Sequence, residues 1–237
     1  EKYKGQFDEG WGAYREKTFA RQKEMGLVPA DAELSRNDPD VPDWDALPAE
    51  EQRLYAHMME VFAGFLEHTD FHIGRLFDFL KSLGEFDNTL IMLISDNGAS
   101  SEGGPTGSVN ENLFFNQVKE DLQTNLAHID ELGGPTTFNH YPWGWTWAGN
   151  TPFRRWKRET YRGGISDPFI VHFPSGFQTR GEVRSQYTHA IDMMPTVLDL
   201  AGIEPPADIK GVTQSPIEGF SFAHTLDDAG AEGKHHT

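Results

Sequence analysis

The chain has 237 residues, 37% of them hydrophobic, which suits one large domain or a large piece of a bigger one. Its formal net charge of −17 argues against a nucleic-acid partner, which needs basic surface, yet leaves room for a small anionic substrate held by a few local cations. With no cysteine there is no disulfide, thiolate metal site or cysteine nucleophile, and no run approaches the ~20 apolar residues of a transmembrane segment.

Residues 1–48 carry little hydrophobic periodicity and read as irregular structure with one exposed surface helix over 13–25. Gly26 and Pro29 would end that helix, and Trp44 is the single anchor of a Pro- and Asp-rich connection that follows. Residues 49–83 are the clearest helix. Tyr55, Met58, Met59, Phe62, Phe65, Leu66, Ile73, Leu76, Phe77, Leu80 and Leu83 recur at three- and four-residue steps, and Gly84 lies just past the last of them. His68 and His72 stand four apart on one face of this helix. That spacing suits a metal, but a hydrogen-bonded or solvated face is the commoner explanation.

The stretch Thr89-Leu90-Ile91-Met92-Leu93-Ile94-Ser95-Asp96-Asn97-Gly98 is a short apolar run stopped by a carboxylate, a carboxamide and a glycine. It predicts a strand over 89–95 buried on both faces, as in a parallel sheet. Functional groups gather past the carboxyl ends of such strands, and Asp96 and Asn97 both offer oxygens suited to a hard cation. A plain turn is the competing explanation.

From 98 to 150 a long segment of low periodicity contains one short helix, near 111–122, and ends in an aromatic cluster. Connections this long are usually functional or mobile. Trp143, Trp145 and Trp147 alternate, as on one face of a strand or in the wall of a pocket for an apolar leaving group. Residues 151–164 hold five Arg or Lys in an otherwise acidic chain, with Trp156 and Tyr161 between them and Gly163-Gly164 at the end. Residues 169–173 predict a second strand and residues 189–202 a second helix, with Asp192 as a cap and Gly202 as its stop. The tail from 203 reads as loop.

Taken in order, Asp87-Asn88-Thr89, Ser95-Asp96-Asn97-Gly98, Asn150-Thr151-Pro152-Phe153-Arg154 with Lys157, Gly163-Gly164-Ile165, Asp167-Pro168 and the run from His189 to Gly202 resemble the formylglycine-dependent (type I) sulfatases, in the arylsulfatase branch of the alkaline phosphatase superfamily. The resemblance covers nearly the whole chain. It implies an α/β fold, part of an alkaline-phosphatase-like mixed sheet flanked by helices with long loops. The core would span 49–202, with 98–150 as an active-site loop and 203–237 opening a C-terminal region. It implies sulfate-ester hydrolysis, with Asp96 and Asn97 as two ligands of one divalent cation, usually calcium, and Lys157 as the lysine that contacts sulfate. Asn97 stands where phosphatase relatives carry a histidine for a second metal, which favours the one-metal sulfatase arrangement.

The family's Cys/Ser-x-Pro-x-Arg motif, source of the formylglycine nucleophile, does not occur in these residues. The resemblance therefore implies a central-to-C-terminal fragment whose partner is the missing N-terminal half, inactive by itself, from a periplasmic or secreted protein. The substrate would be a small sulfate ester or a sulfated glycan. Two alternatives are a phosphonate or phosphodiester hydrolase of the same superfamily and a noncatalytic module that binds a sulfated ligand or a protein.

Overall fold

A computed structural model describes residues 2–235. The helices are α1 (Gly10–Glu24), α2 (Ala49–Ser82), α3 (Asn112–Phe115), α4 (Leu122–Ala127), α5 (Trp143–Gly149), α6 (Arg162–Ile165) and α7 (Met193–Ala201). The strands are β1 (Ile91–Ile94), β2 (Phe169–His172), β3 (Asp208–Ile209) and β4 (Val212–Thr213). β1 pairs with β2, and β3 with β4, in two-stranded sheets. Content is thus mixed helix and strand with small sheets, and the two long apolar strands expected from the sequence are neighbours. The chain divides into two compact units, residues 1–82 with 92–170, and residues 83–91 with 171–237.

The first unit is built on aromatic side chains. Trp145 on α5 and Trp11 on α1 are almost wholly buried, and Phe7, Trp11 and Trp44 meet Trp145 edge-on at centroid distances of 5.4, 5.9 and 5.8 Å. Edge contacts suit the ring quadrupole, and buried indoles need a partner for their N–H. Three have one here: Trp145 donates to the Tyr55 carbonyl, Trp11 to that of Pro42 and Trp44 to that of Asp8. Trp143, Trp145 and Trp147 lie on a helix rather than a strand; Trp145 and Trp147 are core, and Trp143 is half-buried. The segment 98–150, expected as loop, accordingly supplies much of the core. Its periodicity is hidden because α5 follows Pro142 and is only seven residues long.

α1 is not the exposed helix expected. Trp11, Arg15 and Phe19, four apart, form a buried stripe, and the arginine in its centre disguises the pattern. The Arg15 guanidinium donates to the carbonyls of Trp147, Pro152 and Phe153 and to the hydroxyls of Ser35 and Thr151, and it lies 4.3 Å over the Trp147 ring. Burial pulls its pKa down to about 10 against the opposing pull of Asp38.

α2 runs as predicted but divides in two by exposure. Leu54, Tyr55, Ala56, Met58 and Met59 are buried, whereas Phe65, Leu66, Phe71, Leu76 and Phe79 are exposed. The expected double burial of the first long strand is also absent, since Leu93 and Ile94 are exposed, as is Ile170 on β2. His68 and His72 place their Nε2 atoms 3.0 Å apart, and Arg75 reaches Nδ1 of His72 at 2.9 Å; this is a hydrogen-bonded, exposed face.

In the second unit Asp192 is the hub. Its buried carboxylate accepts from the His189 and Phe220 backbone N–H groups at 2.9 and 2.8 Å and lies 2.7 Å from Nε2 of His235. His189 caps the short 3-10 turn Ala190–Asp192 that leads into α7, and Gly202, left-handed at φ 65°, ends α7. The tail is not all loop: Asp208–Thr213 and Ile209–Val212 pair antiparallel, with left-handed Lys210 and Gly211 between the strands.

Candidate active site

Asp96 and Asn97 follow the carboxyl end of β1. Asp96 is exposed and Asn97 half-buried, so neither side chain enters the core. The next residue, Gly98, is buried where a Cβ would lie 1.7 Å from the Gly163 carbonyl oxygen, so only glycine lets the two backbones approach. Gly98 N–H donates to the Gly164 carbonyl at 3.2 Å, and Lys157 N–H donates to that of Ala99 at 3.1 Å. Asn150 completes the joint: its Oδ1 accepts from Ala99 N–H at 2.8 Å and its Nδ2 donates to the Arg155 carbonyl at 3.0 Å. Backbone and carboxamide contacts thus hold the Asp-Asn-Gly loop against the basic loop some sixty residues later.

The basic loop is constrained on both sides of Lys157. Arg155 and Arg158 adopt φ of 61° and 80°, a left-handed conformation unusual for arginine. Such outliers persist only where surrounding contacts enforce them, and they concentrate at functional sites. Arg155 pairs with Asp38 and Asp40 at 3.3 and 2.6 Å, chiefly through Asp40, which raises its pKa. Arg154 lies over Tyr161, with 5.3 Å from guanidinium carbon to ring centroid, and Arg158 over Phe114 at 5.4 Å. Arg154 and Arg155 are thus engaged by a ring and by two carboxylates.

Lys157 directs its ammonium to Glu102, with Nζ 3.2 Å from Oε1. Glu102 is 4% exposed, and its other oxygen accepts from the Ser100 hydroxyl. Helix α5 fixes the stretch around it: Thr146 donates to the Ser100 carbonyl at 2.8 Å and the Trp143 indole to that of Ser101 at 2.9 Å. Lys157 and Glu102 lie on a cavity of about 950 Å³ with Phe114, Phe115, Trp143 and Arg158 among its walls; Asp96 and Asn97 are not part of that lining. The loops that carry the three expected site residues are joined through backbone contacts. Sequence reasoning missed Glu102, a lone acid in a Gly/Ser-rich loop with no periodicity to mark it.

Among the described residues no three His, Asp or Glu side chains form a set able to hold a metal ion. Asp96 offers a carboxylate, and the Asn97 amide nitrogen donates to the Gly98 carbonyl at 3.0 Å, leaving the carboxamide oxygen as its acceptor. Both oxygens suit calcium, which takes six to eight such ligands, so these two fit as part of a shell. Asp167 lies close enough to Asp96 to feel its charge; burial first and that charge second raise the Asp167 pKa.

The sulfatase family model matches residues 1–203. The chain is 32% identical over 206 residues to an uncharacterized sulfatase of Schizosaccharomyces pombe, covering 86% of this chain and 36% of that protein. It is 27% identical over 223 residues to the arylsulfatase of Klebsiella aerogenes, 94% of this chain and 46% of that one. To the human N-acetylgalactosamine-6-sulfatase it is 29% identical over 157 residues, 66% of this chain and 21% of that protein. The chain spans between a third and a half of the length of the first two. The match over residues 1–203, with a relative 32% identical over 86% of this chain, leads to one conclusion: this chain belongs to the sulfatase family.

Proposed function

We propose that the protein acts in the hydrolysis of sulfate esters and that its fold is part of the alkaline-phosphatase-like mixed sheet of that superfamily. The observation that carries this reading is the backbone joint between the Asp96-Asn97-Gly98 loop and the Lys157 loop. It supports a common task for two segments that are remote in sequence. In this reading Asp96 and Asn97 are two ligands of a calcium ion, and Lys157 is the cation that meets the sulfate. When bound, calcium supplies fixed positive charge near the sulfuryl oxygens, and formylglycine, borne outside these residues, supplies the nucleophile.

The chain's own residues have distinct parts. The Lys157 ammonium carries three N–H donors and offers a compact charge to an ester anion. Charge develops on sulfuryl oxygens and leaving group, where a preorganised cation acts most strongly. The apolar walls beside Lys157, chiefly Phe114, Phe115 and Trp143, suit the non-sulfate part of the ester. A periplasmic or secreted location belongs to the same reading.

The test is parallel hydrolysis of 4-nitrophenyl sulfate and 4-nitrophenyl phosphate, with calcium, by the protein expressed from its complete reading frame with a formylglycine-generating enzyme. Sulfate turnover that falls ~100-fold or more in Lys157→Gln is the expected result. Preference for phosphate would overturn it in favour of the phosphatase relatives. Calcium content, measured separately, should drop in Asp96→Ala.

A further inference from the structure

Lys157 has a partner that its proposed task does not explain. An ammonium at the edge of a cavity could swing freely through solvent, because four rotatable bonds separate it from the backbone. Here it meets one of the few buried carboxylates among the described residues. Glu102 is 4% exposed against 35% for the Lys157 side chain, so the acid is the fixed member and the lysine the mobile one. Three features fix the acid. The Ser100 hydroxyl donates to Oε2, Thr146 and Trp143 of α5 hold the flanking carbonyls of Ser100 and Ser101, and Gly103 lies where a Cβ would be 2.1 Å from the Tyr141 carbonyl oxygen. The lysine is fixed from its other end by the Ala99 carbonyl and by left-handed Arg158.

We propose that Glu102 is the positioning residue of Lys157. Its carboxylate accepts from one of the three ammonium N–H groups without removing the proton, and this aims the other two at the cavity bounded by Trp143, Phe114 and Arg158. There an anionic ester meets donors already in place. The inference rests on the assignment of Lys157 to sulfate made above. Glu102 touches no substrate in this scheme; it acts through the lysine. A buried carboxylate that merely required neutralising would give a different pattern, because its removal would then cost stability and leave anion affinity alone or strengthen it.

The experiment is a double-mutant cycle on binding of 4-nitrophenyl sulfate by the 237-residue chain, read by quenching of tryptophan fluorescence and checked by calorimetry. The variants are Glu102→Gln, Lys157→Gln, the double variant and Glu102→Asp. A positioning role predicts that Glu102→Gln weakens binding ~10-fold and Lys157→Gln at least as much, with no further loss in the double variant because the two act as a unit. Glu102→Asp should recover part of the affinity, and each variant should melt cooperatively. Unchanged or tighter binding in Glu102→Gln beside a loss in Lys157→Gln overturns the role of Glu102 and leaves that of Lys157 standing. Equal losses that multiply in the double variant overturn it too. Unchanged binding in Lys157→Gln overturns the sulfate assignment itself, and the role of Glu102 with it. If Glu102→Gln does not fold, Ser100→Ala takes its place: it frees the carboxylate without removing charge and should weaken binding ~3-fold, and no effect there counts against the proposal.

Discussion

The two halves of α2 share one helix and one hydrophobic period, and they meet opposite fates. Leu54 and Met58 are wholly inside, while Phe65, Leu66 and Leu76, on later turns of the same stripe, are each more than half exposed. Nothing in the local sequence separates them. The first half faces α1, α5 and the Trp145 cluster, which come from this chain; no described segment covers the second half to the same extent. Hydrophobic periodicity states which face a helix seeks to bury and is silent on whether the covering partner is present. The same holds for the two long strands, whose Leu93, Ile94 and Ile170 are exposed although their composition reads as buried. The full-length relatives have more than twice as much chain with which to provide such a cover.

The largest expected effect tests the buried side of this contrast. Trp145→Ala should destabilise the first unit by ~3–5 kcal/mol, through lost ring contacts and the lost indole hydrogen bond to the Tyr55 carbonyl. Denaturant unfolding followed by far-UV circular dichroism measures it, and a loss below ~1 kcal/mol would mean the aromatic cluster does not organise this unit. Next comes Gly98→Ala. A methyl group 1.7 Å from a backbone oxygen has no flexible neighbour to displace, so the two loops must part at a cost of ~1–3 kcal/mol. Aryl-sulfate binding should fall with it, because the Lys157 loop hangs on the same joint.

A smaller, pH-dependent effect belongs to the second unit. Burial alone would raise the Asp192 carboxyl, but the His189 and Phe220 N–H groups and the His235 imidazole outweigh it and hold the pKa below its ordinary 3.8. A depressed carboxyl contributes stability that is fully present above the unfolded value and is lost as pH falls through the folded one. The second unit should therefore weaken below about pH 4 in wild type. Asp192→Asn should melt earlier at neutral pH and lose this acid dependence, as hydrogen exchange across residues 189–203 would report.

The smallest effect probes the exposed half of α2. Phe65→Ser should change stability by less than ~0.5 kcal/mol while reducing any self-association seen in sedimentation. A core-sized cost would sharpen the contrast differently, by indicating that this half is covered in solution, for instance by a second copy.

Legibility from sequence followed the same division. Periodicity located α2, β1, β2 and α7 to within a few residues because each is a run long or uniform enough to carry a period. It failed for α1, where Arg15 occupies the centre of the buried stripe, and for α5, where seven residues are too few. At the site, an ordered set of short motifs singled out Asp96, Asn97 and Lys157 as candidates, and the glycine pair 163–164 was visible as a motif whose reason was not. That reason is steric: backbone carbonyls occupy the space a Cβ would need at both positions. Glu102 meets Lys157 through a single contact with a remote segment, and a one-dimensional pattern has no means of marking such a contact.

The buried Arg15 has a consequence for the order in which the first unit assembles. Its carbonyl acceptors on Trp147 and Phe153 lie 132 and 138 residues away in sequence. A turn of α1 can form within about a microsecond, but the guanidinium cannot leave water until that distant segment arrives to receive it. Until then the charge holds α1 off the aromatic core, so α5 and the 150–153 turn must settle before α1 docks. Closing so long a loop is slow, and a contact of this kind forms late. Truncating Arg15 should consequently accelerate unfolding and leave the refolding rate nearly unchanged, the kinetic signature of an interaction absent from the transition state.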